Sequence, residues 1–278
     1  MINPIGVMQG RLLPKYQGRY QAHPVGYWQD EFYIASKNGL DCIEFILDFN
    51  DAEINPLLNE GGGDEILSSV ESFGVAVKTI CADYFMTAPL HADDEAVAVR
   101  SNQVLKRLID RSGEVGISDI VIPCVDHASL DNEDKVENFI RAITPVINDL
   151  EKKEINLSLE TDLAPDPFLD LLERFDTIRI TVNYDTGNSA ALGYDPEEEL
   201  SAYGEKITDI HIKDRQLDGG PVMLGQGDAD FDRFFKKLRE FNYSGPFIMQ
   251  AYRDDEGIEI FKQQLAWIRN RMGILNAC

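Results

Sequence analysis

Short apolar runs alternate with longer stretches of helical period from one end of the chain to the other. Eight runs read as strands: Ile5 to Met8, Cys42 to Ile46, Val75 to Cys81, Asp119 to Ile122, Asn156 to Glu160, Ile178 to Asn183, Ile207 to Ile212 and Pro246 to Gln250. Between them lie helix patterns over Trp28 to Lys37, Asp64 to Phe73, Glu95 to Glu114, Asn132 to Lys153, Phe168 to Phe175, Asp230 to Phe241 and Ile258 to Arg271. Asp166-Pro167 and Asp195-Pro196 have the form of helix starts, a capping carboxylate followed by a first-turn proline.

Strands alternating with helices predict a parallel α/β fold. Eight such units in 278 residues match a closed barrel, which typically takes ~250 residues. An open doubly wound sheet would carry a Gly-rich turn directly after its first strand, and Gly6 and Gly10 do not make one. The expectation is a single (β/α)8 TIM barrel, one domain over residues 1–278. There is no internal repeat, and the loop-like runs are Gly61 to Gly63 and Gln216 to Gly227.

Strand residues point alternately to the two faces of a sheet, so every second residue of a barrel strand faces inward. Three consecutive strands then have polar inner series: Asn156, Ser158, Glu160; Arg179, Thr181, Asn183, Asp185; and Asp209, His211, Lys213. Their partners, Leu157, Leu159, Ile180, Val182, Ile210 and Ile212, suit packing under helices. Polar groups inside a barrel need partners or a function. Glu160, Asp185 and His211 fall at or near the C-terminal ends of their strands, where barrel enzymes place their active sites. Singly, each reads as well as an ion-pair or capping residue. Together, two carboxylates and an imidazole converging on one rim predict a divalent-metal site suited to Mn, Mg, Co or Zn. Gln250, ending the eighth strand, can offer an amide oxygen as a fourth ligand but cannot remove a proton.

Composition narrows the partners. Against 26 Lys and Arg stand 49 Asp and Glu, a formal net charge of -23, which disfavours nucleic acid. A small anionic substrate remains compatible, because a few basic residues in a cleft outweigh distant, screened charge. Cys42, Cys81, Cys124 and Cys278 form no CxxC pair and read as reduced thiols of a cytoplasmic protein. No segment reaches the ~18 apolar residues of a membrane helix, and Met1 to Gly10 lacks a basic flank followed by a long apolar stretch. A homo-oligomer is compatible with all of this.

In this order, Gly10-Arg11-Leu12, Gly39 to Glu44, Cys81-Ala82-Asp83-Tyr84, Leu159-Glu160-Thr161, Asp185-Thr186-Gly187-Asn188 and His211-Ile212-Lys213-Asp214 resemble the xylose isomerase-like TIM barrels, particularly the sugar-phosphate isomerases and epimerases. The resemblance covers nearly the whole chain. It implies a divalent cation held by Glu160, Asp185 and His211, joined in such proteins by a glutamate from the eighth strand that is here Gln250. It also implies a small carbohydrate or sugar phosphate as substrate. Family epimerases use the two metal-binding glutamates as acid and base on opposite faces of the sugar, and with Gln250 only Glu160 remains of that pair. Aldose-ketose isomerisation runs with one base, so the substitution tilts the expectation toward an isomerase. A carboxylate beside a metal has a lowered pKa, which suits Glu160 as the base.

Around this centre, Arg11, Glu44, Asp83, Asn188, Lys213 and Arg215 are candidate substrate contacts, with Glu44 and Asp83 also candidate second bases. Plainer roles compete: a salt bridge in the barrel mouth for Arg11 and Glu44, loop stabilisation for Asn188, and ion pairs with Asp214 or Asp218 for Lys213 and Arg215. His23 lies in the connection from Pro14 to Tyr27, as part of a lid or simply exposed, and His91 and His127 have weaker claims. The leading expectation is a metal-dependent isomerase or epimerase working through an enediolate. The alternatives are a dehydratase of the same barrel group, a catalytically silent carbohydrate-binding barrel, and a DNA-repair nuclease, which the charge and the four histidines disfavour.

Overall fold

The computed structural model describes residues 3–254 and 257–276. Eight parallel strands close into a barrel: β1 (Ile5–Met8), β2 (Cys42–Ile46), β3 (Ala76–Cys81), β4 (Asp119–Cys124), β5 (Asn156–Thr161), β6 (Ile180–Asp185), β7 (Ile207–Ile212) and β8 (Phe247–Met249). Each pairs with the next in sequence, and β1 closes the ring on β8, with Ile5 opposite Phe247 and Val7 opposite Met249. Besides a single turn at Tyr84–Thr87, the helices outside are α1 (Asp30–Lys37), α2 (Gly62–Phe73), α3 (Glu95–Val115), α4 (Glu133–Ile143), α5 (Ile147–Lys153), α6 (Pro165–Glu173), α7 (Thr186–Leu192), α8 (Pro196–Tyr203), α9 (Phe231–Leu238) and α10 (Ile258–Asn276). None among the described residues is long and apolar enough to cross a membrane.

The alternation read from the sequence is the one the barrel uses. Leu157, Leu159, Ile180, Val182, Ile210 and Ile212 are buried in the large core between strands and helices. The inside of the barrel is divided. Met8, Cys42, Ile46, Cys81 and Ile248 form a small apolar cluster of their own, whereas β5 to β7 send in Ser158, Glu160, Thr181, Asn183, Asp185, Asp209 and His211, all buried. Space on the apolar side is tight: a Cβ on Gly6 would come within 2.6 Å of both Cys42 Sγ and Ile248 Cδ1.

Several boundaries differ from the pattern's expectation for physical reasons. Ile178 is 81% exposed and precedes β6, so that strand begins later and Asp185 is its last residue. The single helix expected over Asn132 to Lys153 is two, separated by a 3-10 turn at Thr144–Val146 where Pro145 has no N–H to give. Gly62 and Gly63, read as loop, open α2. Asp195 caps α8 by accepting from the Glu197 N–H, but Asp166 lies inside α6, whose first residue is Pro165. The segment after Asp185 is helix α7 rather than loop, with Asp185 as its cap. Cys42, Cys81 and Cys124 are buried free thiols, and Cys278 lies outside the described residues.

The loop-like run from 216 to 227 is ordered by one carboxylate. Just past β7, Asp214 is fully buried and accepts from the N–H groups of Gly225 (2.8 Å), Gly227 (2.9 Å) and Ala229 (3.1 Å). The run folds back as a two-stranded antiparallel ribbon, Asp214–Arg215 against Pro221–Val222. Gly227 must be glycine, since a Cβ there would sit 2.2 Å from Asp214 Oδ1. In Asp214→Asn, the amide nitrogen faces N–H groups it cannot accept from, and an unsatisfied buried donor costs about 1–3 kcal/mol. At about 2–4 °C per kcal/mol for a chain of this size, thermal unfolding should begin several degrees lower. An unchanged melting temperature would mean that the loop is held by other contacts.

Candidate functional site

Asp185, Glu160 and His211 reach one point from three adjacent strands, and the local structure divides the work of each side chain. As the cap of α7, Asp185 accepts through Oδ1 from the N–H groups of Gly187 and Asn188, both at 2.8 Å. Its Oδ2 is left facing His211 Nδ1 at 3.9 Å and Lys213 Nζ at 3.4 Å. Glu160 accepts through Oε1 from Asn188 Nδ2 at 2.5 Å, and its Oε2 lies 4.0 Å from the same Nδ1. The start of α7 is tied to β7 by the Thr186 hydroxyl, which donates to the Lys213 carbonyl at 2.6 Å and accepts from the Lys213 N–H at 3.0 Å.

His211 is fully buried, and its two ring nitrogens have different surroundings. Nε2 is 2.7 Å from Glu44 Oε1, while Nδ1 has no hydrogen-bond partner among the described residues. Glu44 is also completely buried and accepts from the Thr79 hydroxyl at 2.6 Å. Burial lifts its carboxyl to about 7. Burial drives Asp209 well above the usual carboxylate range, and its hydrogen bond with Glu44 helps keep the proton on Asp209. With Nε2–H donating to Glu44, the Nδ1 lone pair is turned toward Glu160 and Asp185.

A divalent cation fits these residues. The Nδ1 of His211 is an orphaned buried acceptor, and so is the Oε1 of Gln250, which is 4% exposed. A metal–ligand bond of ~2.1 Å separates ligand atoms by roughly 3–4 Å, the spacing found between Nδ1 and the two carboxylates. Imidazole, carboxylate and amide oxygen together suit a borderline or hard dication. Without such charge, burial and then the neighbouring Asp185 push Glu160 up to about 7, opposite to the low value expected beside a metal; His211 and Lys213 pull it only part of the way down.

A cavity of about 560 Å³ opens over this point at the C-terminal end of the barrel. Asp83, Asn188, Lys213 and Arg215 line it beside Glu160 and Gln250. Lys213 Nζ bonds Asp185 and, at 3.3 Å, Asn188 Oδ1, rather than Asp214 or Asp218. Arg215 donates to the Gly219 carbonyl and, at 2.9 Å, to Asn188 Oδ1; both of these acceptors are neutral. Asn188 stands on a helix, joined to Glu160, Lys213 and Arg215, which is more than a loop-stabilising role requires. Two candidate substrate contacts are not on the cavity wall. Glu44 lies beneath His211, and Arg11 is turned toward the Ala251 carbonyl and Gln21. Burial lowers the Arg11 guanidinium to about 10, and Asp185 and Asp83 pull the other way. A larger cleft of about 640 Å³ lies at the opposite end of the barrel, where Asp119 is already satisfied by Ser118 and Asn156.

The connection from 14 to 27 contributes residues that strand phasing could not find. Gln21 bonds Arg11, Asp83 and Gln250, and Arg19 pairs with Asp48 at 2.8 Å on the cavity wall. The backbone lies so close to the first strand's turn that a Cβ on Gly10, whose φ is +87°, would sit 2.1 Å from the Tyr20 carbonyl. His23 is neither exposed nor turned to the cavity; it is buried, with its ring 5.3 Å from that of Phe45 and Nδ1 3.3 Å from Gln9 Oε1. His91 is buried near Phe139 and His127 is exposed on a single turn.

Known proteins can be set beside this geometry. The putative L-ribulose-5-phosphate 3-epimerase SgbU of Haemophilus influenzae is 26% identical over 264 residues, covering 88% of this chain and 91% of that protein. The L-ribulose-5-phosphate 3-epimerase UlaE of Escherichia coli O1:K1 is 24% identical over 269 residues, covering 91% and 93%. Among solved structures, the IOLI protein with a binding zinc atom superposes with a TM-score of 0.73 at 16% identity, over 97% of each chain. The family model of the xylose isomerase-like TIM barrel matches residues 32–271, from inside α1 to inside α10. With that match taking in every strand from β2 onward, the chain belongs to the xylose isomerase-like TIM barrels.

Proposed function

We propose that this protein is a metal-dependent epimerase or isomerase of a small sugar or sugar phosphate, with Glu160 as the proton-abstracting base. The observation that carries the reading is the pair of orphaned buried acceptors, His211 Nδ1 and Gln250 Oε1, beside the carboxylates of Glu160 and Asp185 under an open cavity. The names of the sequence relatives, L-ribulose-5-phosphate 3-epimerases, support the substrate class. Glu160, Asp185, His211 and Gln250 would hold the cation. When bound, it supplies positive charge that polarises a substrate carbonyl and acidifies the adjacent carbon.

The rest of the chemistry belongs to side chains. Asn188 donates to Glu160 Oε1 and so fixes the carboxylate at the edge of the cavity, where it can meet a substrate C–H. Lys213 and Arg215, joined through Asn188, offer N–H groups to sugar hydroxyls, carbonyl or phosphate. Epimerisation through an enediolate needs a proton returned from the other face. Gln250 has none to give, and Glu44 is sealed beneath His211. Asp83 lines the cavity, and burial raises its carboxyl so that it holds a proton more readily, which makes it the second acid–base group in an epimerase. The second reading is a one-base aldose–ketose isomerase, favoured by the amide at 250.

Two experiments bear on this. A cation at about 100 times its Kd stabilises the fold by ~2.7 kcal/mol, a rise in melting temperature of roughly 5–10 °C. Mn²⁺, Co²⁺, Zn²⁺ or Mg²⁺ should produce such a rise in the wild-type protein and little in Asp185→Asn or His211→Ala, each variant being compared with and without metal. If none of the four ions moves the wild-type melting curve, the metal reading fails.

For the reaction, ketopentoses, ketohexoses and their phosphates are incubated in deuterium oxide with metal-loaded protein and followed by NMR. Deuterium entering C3 with inversion marks the epimerase, and deuterium at C2 of a newly formed aldose, with exchange at C1 of the ketose, marks the isomerase. Glu160→Gln should slow either exchange by about 10²–10⁴-fold. Loss of water would identify a dehydratase instead, and no exchange with any substrate would leave the silent carbohydrate-binding barrel.

A further inference from the structure

Gln250 has its orientation imposed by a chain of bonds that begins outside the metal cluster. Gln21 Oε1 is 3.1 Å from Arg11 Nη2 and 2.9 Å from Gln250 Nε2, while Gln21 Nε2 is 3.1 Å from Asp83 Oδ2. Oxygen and nitrogen of an amide are told apart by their partners, and here the partners leave one solution. Arginine can only donate, so the Gln21 atom facing Arg11 is the oxygen. The nitrogen then faces Asp83, where a carboxylate accepts. Because the same Gln21 oxygen faces Gln250, the Gln250 atom meeting it must be a donor, the amide nitrogen. Gln250 Oε1 is thereby turned away, buried and without a partner.

We infer that Gln21 is a positioning residue that locks the Gln250 amide with its oxygen presented as a neutral donor, so that position 250 is built for glutamine and is not a disabled glutamate. The inference rests on the metal reading above for the destination of that oxygen, but the lock itself consists of Arg11, Gln21, Asp83 and Gln250 alone. A glutamate at 250 would set a carboxylate oxygen against the lone pairs of Gln21 Oε1. Gln21 could relieve this only by flipping, which would aim its NH₂ at Arg11 and its oxygen at Asp83. Through Gln21, the lock also joins the fourth donor to Asp83, the proposed second acid–base group.

The test is a double-mutant cycle read by Mn²⁺ affinity, using calorimetry or the free-ion EPR signal on the whole chain: wild type, Gln21→Met, Gln250→Glu and the pair. Loss of an outer-shell orienting group typically costs 10–100-fold in metal affinity, so Gln21→Met should weaken Mn²⁺ binding about tenfold. Gln250→Glu adds a charge that ought to tighten binding. It should do so by about tenfold or more in the Gln21→Met background, yet change affinity by no more than about threefold when Gln21 is present. An equal gain in both backgrounds overturns the inference. A second measurement needs no metal: the Gln250 carboxamide protons, identified by their absence in Gln250→Glu, should exchange slowly with solvent in the wild type and fast in Gln21→Met. If Gln21→Met leaves that exchange unchanged, the lock falls even where Mn²⁺ binds. If exchange responds but no variant binds Mn²⁺, the lock stands and the metal reading falls.

Discussion

A 2.7 Å hydrogen bond between His211 Nε2 and Glu44 Oε1 decides what the rest of the barrel's interior can do. Both side chains are fully buried, so neither can exchange its partner for water. The bond holds the ring so that Nδ1 faces Glu160 and Asp185, and a buried nitrogen without a partner is an expense the fold would avoid if nothing used it. The carboxylate–histidine pair also sets the tautomer, since a ring whose Nε2–H donates to Glu44 has its lone pair on Nδ1. Asp209 and Thr79 complete the arrangement beneath, holding Glu44 from the other side.

Such a polar interior is costly in a barrel, and its distribution makes it tolerable. Polar side chains enter mainly from β5 to β7, whereas Met8, Cys42, Ile46, Cys81 and Ile248 form an apolar cluster among β1, β2, β3 and β8. Some of the buried polar groups pair with one another: Asn183 Nδ2 donates to Asp209 at 3.0 Å, and the hydroxyls of Thr181 and Thr208 lie 2.8 Å apart, while Asn183 Oδ1 and Asp209 Oδ1 have no hydrogen-bond partner among the described residues. Thr208 joins this network because the pairing of β6 with β7 slips between Val182 and Asn183, so that Asn183 stands opposite Asp209. The orphaned atoms left over include His211 Nδ1 and Gln250 Oε1 at the cavity end.

How much of this the sequence disclosed follows from which residues obey a period. Barrel strands alternate strictly, so Glu160, Asp185 and His211 could be read as inward and adjacent, and the ring closes in the expected order. Glu44 has the same inward phase, but phase says nothing of depth: it sits below His211 instead of in the mouth. The bulge that turns Thr208 inward breaks the period locally and leaves no mark in composition. Gln21 was out of reach for a different reason. It belongs to a connection without a repeat, and its place is fixed by Arg11, Asp83 and Gln250, which lie 10, 62 and 229 residues away. For Asn188 the sequence offered a substrate contact or a loop-stabilising role; its place on α7 depends on the Asp185 cap and the close packing of Gly187 against Lys213, which hold a helix although Gly187 is a poor helix former.

The amide at 250 changes the electrostatics of the site in a way that bears on both readings of its chemistry. Two carboxylates, when ionised, match the charge of a dication, and the imidazole nitrogen and amide oxygen beside them would add none. A glutamate at 250 would leave one surplus negative charge among donors that are almost fully buried, where desolvation already lifts Glu160 to about 7. The amide keeps that surplus charge out of the cluster. This also suits a protein whose net charge of -23 opposes any anionic substrate. Fewer acidic oxygens then face Lys213 and Arg215 on the cavity wall, where Arg215 donates to the neutral oxygens of Gly219 and Asn188.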